Sequence, residues 1–407
     1  MNDFDGDLTH RLAAVRQQGL LRELRRIDSA QSSRIEIAGR TLLNFSSNDY
    51  LGLANEPALK EAAIKAVERY GAGAGASRLI CGSLAPHQEL DEALAAFKGT
   101  AAALSFSTGY AAAIGAIYAL LGKDDVIILD KLVHACIVDA ARLCGAKLRV
   151  FGHNDLTDLE GKLRWAMEKV RRPKAEGRSA AARILVVTES VFSMDGDHAP
   201  LSDIVALKEK YGAWLMVDEA HATGLYGANR RGLAEELGVS DRIEVQMGTL
   251  GKALGASGGY ICGSRSLADY LINRARTFIF STAPVPAAAA AATAGVRFVQ
   301  SNAGEQRRQT LWQRVSDLSS RLTPHLSTVN HQLSTARSAI IPIMIGDEAK
   351  AVAAASVLRE QGIFIPAIRY PTVARGQARL RLTLSAAHTE ADLAQLLTAL
   401  KSLNFGL

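Results

Sequence analysis

An acid and a lysine each follow an apolar, strand-like run in the middle of the chain. The run 214–217 leads into Asp218, and the run 243–247 leads into the small residues that precede Lys252. A carboxylate at the end of a buried strand costs free energy unless a cation meets it. An amine that can form an imine, with a carboxylate that can hold a pyridine nitrogen protonated, is what a pyridoxal 5′-phosphate (PLP) site requires. Asp218 and Lys252 therefore indicate a PLP enzyme.

Small residues lie where a phosphate would bind at a strand-to-helix connection. Backbone N–H groups at the helix start after Ser107-Thr108 would hold the phosphate, and Gly109 would permit its close approach. Thr249, three residues before the lysine, could add a hydroxyl group. Taken alone, such residues more often form an ordinary N-cap, and Tyr110 could equally face the cofactor or pack in the core.

Two histidines and a glutamate–serine segment also follow buried strands. His134 could stack on the pyridine face, and His221 lies three residues after the acid, although either alone would more often be a structural histidine. Ser193 suits a hydrogen bond to the phenol oxygen of the cofactor, and both it and Glu189 follow a buried strand. Their occurrence beside the acid and the lysine favours one shared site.

The composition is that of a soluble globular enzyme. The 407 residues are 48% hydrophobic and 22% charged, with a formal net charge of +6, and nothing resembles a basic-aromatic nucleic-acid surface. The four cysteines lack metal-ligand spacing, so we expect buried thiols, a reducing compartment and no metal. An apolar signal core is missing and the alanine-rich run 286–296 is too short to span a bilayer, so we expect a cytoplasmic protein.

The alternation of strands and helices predicts the fold. Amphipathic helices such as 109–121 and 201–211 separate seven strand candidates, which argues for an α/β fold with a mostly parallel, doubly wound sheet. The site is then expected at the C-terminal edge of the strands. The candidates are 101–106, 125–129, 147–151, 183–188, 213–217, 243–247 and 258–262.

The flanking segments predict smaller elements. Residues 7–30 have the apolar spacing of a helix, and a helical stretch runs from 286 to about 327. A small α+β region closes the chain, with strands near 339–345, 363–369 and 378–384. We expect an N-terminal helix and strand segment (1–50), a large cofactor-binding domain (51–285) and a small C-terminal domain (286–407).

Two further patterns concern ligands. The glycine series 71–75 does not predict a dinucleotide site, because it follows a helix rather than a strand; a loop over a substrate channel is the better interpretation. Late in the chain, Arg369, Arg379 and Arg381 surround the last strands, and an arginine can clamp a substrate carboxylate with two hydrogen bonds.

Taken together, these residues resemble the α-oxoamine synthases, which are fold type I PLP enzymes with a seven-stranded sheet. The likeness covers nearly the whole chain, and its motifs are 44–52, 77–82, 191–196, 218–221, 248–252, 280–282, 367–373 and 378–384. It implies that an amino acid condenses with an acyl thioester and loses CO2. The segments 367–373 and 378–384 are most similar to the branch that joins L-alanine to a pimeloyl thioester.

The resemblance assigns the cofactor site. Lys252 matches the lysine that binds the aldehyde, Asp218 the partner of the pyridine nitrogen, and His134 the ring-stacking histidine, which also lies beside the substrate. The other matching cofactor contacts are Gly109, Tyr110, Ser193, His221 and Thr249, and Glu189 is a further predicted cofactor contact.

The resemblance also assigns the substrate contacts and a second subunit. Arg22 and Thr372 match residues that bind the acyl substrate, and Arg381 the arginine that takes the amino acid's carboxylate, assisted by Asn48. Ser281 and Thr282 match residues that reach the phosphate of the neighbouring subunit, which implies a homodimer with shared sites.

Departures from the pattern leave alternatives open. Tyr370 and Ala374 replace prolines that this branch usually carries, which puts the acyl substrate in doubt more than the cofactor. Other α-oxoamine synthases, which use glycine or serine with succinyl, acetyl or palmitoyl thioesters, are the nearest alternatives. An aminotransferase would not need the histidine pair, and a PLP-binding regulator would need a DNA-binding region for which the chain has no room.

Overall fold

The computed structural model describes residues 3–170, 182–326 and 337–403. The chain groups into two compact units. The first unit comprises Met1–Ser47, Met194–Gly196 and Leu311–Leu407, and the second comprises Asn48–Ser193 and Asp197–Thr310. Each described strand lies within a single unit.

The strands, numbered in chain order, are β1 (Arg34–Ile37), β2 (Arg40–Asn44), β3 (Ala102–Phe106), β4 (Val126–Asp130), β5 (Lys147–Phe151), β6 (Ile184–Glu189), β7 (Trp214–Asp218), β8 (Val245–Thr249), β9 (Gly259–Gly263), β10 (Ile340–Gly346), β11 (Ile363–Phe364), β12 (Ala367–Ile368) and β13 (Ala378–Thr383). The α-helices are α1 (Phe4–Gln17), α2 (Pro57–Tyr70), α3 (Ala85–Lys98), α4 (Gly109–Leu120), α5 (Ala135–Leu143), α6 (Leu156–Val170), α7 (Leu201–Lys210), α8 (Leu233–Glu236), α9 (Arg265–Arg274), α10 (Arg276–Ile279), α11 (Pro286–Gln300), α12 (Asn302–Leu326), α13 (Glu348–Glu360) and α14 (Glu390–Ser402). A π-helix (Arg78–Gly82) and a 3₁₀ helix (Ser240–Arg242) complete the described elements.

The second unit contains a seven-stranded sheet of order β3-β9-β8-β7-β6-β4-β5. Strand β9 runs antiparallel to both of its neighbours, and the remaining pairs are parallel. The predicted mostly parallel sheet is therefore confirmed. Parallel order brings the ends of β6, β7 and β8 to one edge, where the candidate residues follow them.

The central strands of this sheet are apolar on both faces. Strands β4 and β6 are buried along their whole length, which is typical of parallel strands that helices cover on both sides. Ile127, Leu129 and Val187 pack with Ala112 and Ile117 in the same buried cluster. Each fully buried aliphatic side chain stabilises the folded state by about 1.5–3 kcal/mol through the hydrophobic effect. The packed sheet therefore holds the loops at its edge in place.

The first unit holds two three-stranded sheets, of order β1-β2-β11 and β10-β13-β12. The single strand predicted over 363–369 is wrong, because it divides into β11 and β12. Pro366 lies between them and has no N–H group to continue a strand ladder.

The predicted N-terminal helix over 7–30 is also wrong in its extent. Helix α1 ends at Gln17, and Gly19 follows in the left-handed region with φ +67°. The N–H groups of Gly19 and Leu20 return to the carbonyl oxygens of Arg16 and Val15, a Schellman motif that ends the helix. The chain continues without helical structure to β1.

The helical stretch predicted from residue 286 is two helices, α11 and α12, separated at Ser301. Helix α11 packs against α2 and α3, so 286–310 lie in the second unit rather than opening a C-terminal domain. Residues 1–47 and 311–407 share the first unit, in which β2 pairs with β11. The division into three domains stays a prediction.

Two properties of the chain are read directly from the described residues. Cys136, Cys144 and Cys262 are buried free thiols, whereas Cys81 is exposed, contrary to the expectation that all four are buried. None of the helices within 3–170, 182–326 and 337–403 is long and apolar enough to cross a membrane.

The packing of α11 can be tested at one glycine. A Cβ atom at Gly295 would overlap the carbonyl oxygen of Leu254, so we expect Gly295→Ala to lower the free energy of unfolding by about 1–3 kcal/mol. Alanine at Gly161 in α6 would meet nothing within 4 Å, and this control should raise stability by about 0.5–1 kcal/mol. Urea titrations followed by circular dichroism compare the two variants. Equal effects of the two substitutions would show that α11 does not need the glycine.

Candidate active site

Lys252 lies in a loop that starts where β8 ends. Main-chain hydrogen bonds close this loop, among them Leu250 N–H to Gly258 O (3.0 Å) and Ala256 N–H to Leu250 O (2.9 Å). The lysine is half-buried, and its Nζ lies 2.7 Å from Nε2 of His221. The structure therefore brings Lys252 and His221, two predicted cofactor contacts, together within the second unit.

Asp218 ends β7, the strand next to β8. The side chain is buried, and its Oδ1 accepts the N–H of Ala220 at 2.9 Å. Burial raises the pKa of Asp218 above its usual range, and the positive charge of Lys252 opposes that rise. A cation held against the carboxylate would favour its ionised form, and a protonated pyridine nitrogen is such a cation.

Glu189 ends β6 and is paired with Asp218 in the parallel register. Its Oε1 accepts the main-chain N–H of His134 at 2.5 Å. Burial, and then the negative charge of Asp218, raise the pKa of Glu189 to about 8. Glu189 was predicted as a cofactor contact; in the structure it holds the segment that carries His134.

His134 is the N-cap of α5. Its Nδ1 accepts the N–H of Cys136 at 3.3 Å, so the ring proton of the neutral imidazole is on Nε2. Desolvation lowers the pKa of His134, with the charge of Asp218 acting in the opposite direction. The residue is nevertheless exposed, and a neutral imidazole ring that is accessible can stack on a pyridine.

The expected phosphate site has a helix start and a nearby threonine. Gly109 begins α4, and a Cβ atom on it would lie 3.8 Å from the Cβ of Thr249. The Thr249 hydroxyl donates to the carbonyl oxygen of Gly258 (3.0 Å) and accepts from Gly251 N–H (3.3 Å). Its single proton is thus already used, so the predicted bond from Thr249 to a phosphate requires this hydroxyl to turn.

The remaining predicted cofactor contacts lie nearer the surface of the second unit. Tyr110 is exposed, and its hydroxyl donates to Asp139, which excludes the alternative that it packs in the core. Ser193 and Ser281 are half-buried, and Thr282 is exposed with its main chain bridged to Ser77. Within the described residues, no hydrogen bond joins Ser281 or Thr282 to the lysine loop.

Two residues of this site were not predicted from the sequence. The Tyr50 hydroxyl lies 2.6 Å from Nδ1 of His221 and 3.3 Å from Oδ1 of Asn48, the residue predicted to assist the substrate. A Cβ atom on Gly259 would overlap the main chain of Gly109, so only glycine leaves room at that helix start. Tyr50 lies in the motif 44–52 and could have been found there; Gly259 gave no signal.

The first unit brings two predicted substrate residues together. Nη2 of Arg22 lies 3.4 Å from the Thr372 hydroxyl, and Arg369 donates to the carbonyl oxygen of Leu21 at 2.9 Å. These residues line a groove of about 390 Å³ that also contains Arg25. The groove is positively charged and partly apolar, as a site for an anionic acyl chain would be.

The arginines of β13 differ in their surroundings. Arg379 forms an ion pair with Asp195, so it is not the open carboxylate clamp that the sequence suggested. Arg381, two residues along the same strand, is buried and lies opposite Pro342 of β10. Of the two, Arg381 stays the predicted carboxylate-binding residue.

The parts of this site fit one cofactor. The second unit has a lysine amine in the loop after one strand, a buried acid at the end of the next strand, an exposed histidine whose pKa is lowered, and a helix start against which only glycine fits at position 259. A mostly parallel sheet that carries these groups at its C-terminal edge defines a PLP-dependent enzyme.

Known proteins that are similar to this chain are also PLP-dependent enzymes. Residues 40–400 match the family described as aminotransferase class I and II. The chain is 46% identical over 389 residues to the 8-amino-7-oxononanoate synthase of Geotalea daltonii. The aligned residues cover 96% of this chain and 95% of that protein. The structure of serine palmitoyltransferase from S. paucimobilis with a bound PLP–myriocin aldimine superposes with a TM-score of 0.86 at 31% identity, covering 98% of this chain and 96% of that one. The 8-amino-7-oxononanoate synthase of Francisella tularensis gives 0.72 at 28% identity, covering 90% and 98%.

The chain therefore belongs to the aminotransferase class I and II family and, within it, to the 8-amino-7-oxononanoate synthases. Its fold is that of the fold type I PLP-dependent transferases, and its cofactor is pyridoxal 5′-phosphate.

The raised pKa of Glu189 predicts how stability depends on pH. Because the folded protein binds this proton up to about pH 8 and the unfolded chain releases it near 4.5, stability falls as the pH rises between these values. Asp218 contributes in the same direction. We expect Glu189→Gln, which keeps an acceptor for His134 N–H, to remove about 2 kcal/mol of that fall. Urea unfolding of both cofactor-free proteins at about pH 5 and pH 8 measures it. If the free energy of unfolding changed equally with pH in the wild type and in Glu189→Gln, the raised pKa of Glu189 would be contradicted.

Proposed function

We propose that this chain condenses L-alanine with a pimeloyl thioester, releasing CO2 and the carrier thiol, to give 8-amino-7-oxononanoate. The observation that carries the proposal is the Lys252 amine 2.7 Å from His221, beside the buried Asp218, in a chain 46% identical over almost its whole length to such a synthase.

The residues of the second unit would hold the cofactor. Lys252 would bind its aldehyde, Asp218 would keep the ring nitrogen protonated, and His134 would cover one face of the ring. The helix start at Gly109 would receive the phosphate, with Thr249 beside it. Tyr110, Glu189, Ser193 and His221 are the other predicted contacts.

The chain's own groups would then move the proton and place the substrates. PLP supplies, when bound, an electron sink for the carbon that loses its proton. Lys252 Nζ would take the α-proton of alanine, and the α-carbon would attack the thioester carbonyl and expel the thiol. Loss of the alanine carboxylate as CO2 leaves a carbon to which Lys252 can return a proton.

Substrate recognition is assigned to residues predicted from the sequence. Arg381 would hold the alanine carboxylate, assisted by Asn48, and His134 would lie against the substrate. Arg22 and Thr372 would bind the acyl chain, which their 3.4 Å contact in one positively charged groove supports. Holding both substrates in fixed orientation contributes much of the rate in reactions of two reactants.

A second subunit and the cellular location belong to the same proposal. Ser281 and Thr282 would reach the phosphate of a neighbouring copy of the chain, so the active form would be a homodimer. The predicted cytoplasmic location stays a prediction.

Another α-oxoamine synthesis is the second candidate. The likeness to serine palmitoyltransferase, at 31% identity and a TM-score of 0.86, favours serine with a long acyl thioester as the alternative pair. The fold itself does not choose between them, because one scaffold supports many substrates.

Thiol release decides between the candidates. Purified protein with PLP is incubated with alanine, glycine or serine against pimeloyl-, succinyl-, acetyl- and palmitoyl-CoA, and free thiol is measured. We expect alanine with pimeloyl-CoA to exceed every other pair by about tenfold or more, since a misfitted substrate costs at least about 1.4 kcal/mol in the transition state. Pimeloyl-acyl carrier protein is tested alongside. Serine with palmitoyl-CoA, or glycine with succinyl-CoA, as the best pair would reject the proposal.

The lysine assignment has its own test. Lys252→Ala removes the amine that binds the aldehyde, so the visible absorption band of the bound cofactor should be lost and borohydride should fix no cofactor to the protein. Lys131→Ala is the control, because Lys131 also follows a strand of the same sheet but is exposed. Retention of covalently fixed cofactor in Lys252→Ala would show that another residue binds it.

A further inference from the structure

Three polar side chains of the second unit stand in a row that ends at the lysine. The Tyr50 hydroxyl lies 2.6 Å from Nδ1 of His221, and Nε2 of the same ring lies 2.7 Å from Nζ of Lys252. Tyr50 is fully buried and His221 is 6% exposed, so bulk water does not readily replace either contact. Each of these two short contacts accommodates one proton.

The main-chain turn that carries Tyr50 is held by contacts that do not involve the histidine. The carboxylate of Asp49 accepts the N–H groups of Leu53 (2.7 Å) and Ala54 (3.0 Å), and Tyr50 N–H donates to the carbonyl oxygen of Asn48 at 2.8 Å. The turn that carries Tyr50 is therefore tied to itself. The fully buried ring of Tyr50 extends from this turn and places its hydroxyl 2.6 Å from the imidazole of His221.

The protonation state of Lys252 then determines the tautomer of His221. If Nζ is an ammonium group, it donates to Nε2, so Nδ1–H donates to the Tyr50 hydroxyl, which can donate to Oδ1 of Asn48 at 3.3 Å. If Nζ is a neutral amine, Nε2–H donates to it and the Tyr50 hydroxyl donates to Nδ1. The two arrangements use the same positions of the heavy atoms and differ only in where the protons lie.

The titratable groups that face Lys252 influence which of its protonation states is favoured. Asp218 from β7 and Glu189 from β6 act on the lysine electrostatically, as do His134 and Cys136 from the segment after β4. Ionised acids favour the ammonium form of the lysine. The neutral amine, which is the form that attacks an aldehyde, accepts a hydrogen bond from His221 Nε2–H in the tautomer whose Nδ1 accepts from the Tyr50 hydroxyl.

We propose that Tyr50 is a positioning residue for Lys252: acting through His221, its hydroxyl fixes the ring and the tautomer that each protonation state of the lysine requires. The inference rests on the proposed function only in taking Lys252 as the amine that captures the cofactor. Without the hydroxyl, Nδ1 loses its buried partner and the ring is free to adopt the other tautomer, which cannot donate to the neutral amine.

Tyr50→Phe tests this with Tyr260→Phe as the matched control. Both tyrosines are fully buried in the second unit, but the hydroxyl of Tyr260 bonds to Thr223 at 2.8 Å and not to the histidine. The rate at which cofactor-free protein captures PLP is followed by absorbance across neutral pH. We expect Tyr50→Phe to slow capture about tenfold and to shift its pH profile, and Tyr260→Phe to stay within about twofold of wild type. Equal behaviour of the two variants, slow or fast, would overturn the proposal.

A measurement on the cofactor-free wild type keeps the inference testable whether or not the variants fold. The ¹⁵N chemical shifts of the His221 ring in the wild type should show one tautomer where Lys252 is protonated and the other where it is neutral, and Tyr50→Phe should show a mixture in both pH ranges. A mixture in both pH ranges in the wild type would overturn the proposal. A wild type that captures no PLP would instead contradict the proposed function, while the tautomer would still decide the role of Tyr50.

Discussion

The burial of the Asp218 carboxylate beside Lys252 is the constraint on which this site depends. Asp218 and Glu189 end adjacent parallel strands, and desolvation raises the pKa of both. Lys252 supplies positive charge, but it is also the amine that the chemistry needs in neutral form. A protonated pyridine nitrogen held by Asp218, as proposed above, would resolve this conflict, because it would supply positive charge and free the lysine. Cofactor binding and the ionisation of Asp218 would then stabilise each other, since a ligand bound only by the folded state stabilises the fold.

The sheet meets that constraint by register rather than by contacts between side chains. Parallel pairing of β6, β7 and β8 brings their C-terminal ends to one edge. Asp218 at the end of β7 and the lysine loop after β8 are therefore neighbours, whatever path the chain takes between the two strands. Strand β9 returns antiparallel, and Gly259 at its start leaves room for the helix that begins at Gly109. Because strand ends in a packed core move little, the charges at this edge are held in fixed positions.

The two units carry residues with different proposed roles. The second unit carries the groups suited to the cofactor, which many PLP enzymes share. The first unit carries the groove with Arg22 and Thr372, where one acyl group could be told from another. The departures at Tyr370 and Ala374 lie in the same unit, and Arg375 stacks on the ring of Tyr370 at 4.5 Å. Differences in acyl preference among relatives are expected there rather than at the lysine.

The sequence by itself determined the strand-helix alternation, because apolar runs followed by polar residues are local patterns, and its spaced motifs indicated the family. It also predicted that Asp218 and Lys252 belong to one site. It gave the wrong end for the N-terminal helix, since the left-handed turn at Gly19 stopped a periodicity that continued beyond it. Only the tertiary structure decided the engagement of Arg379 by Asp195, the grouping of the first and last segments in one unit, and the place of Tyr50 behind His221. Each of these depends on contacts between residues far apart in the chain, which hydrophobic spacing does not encode.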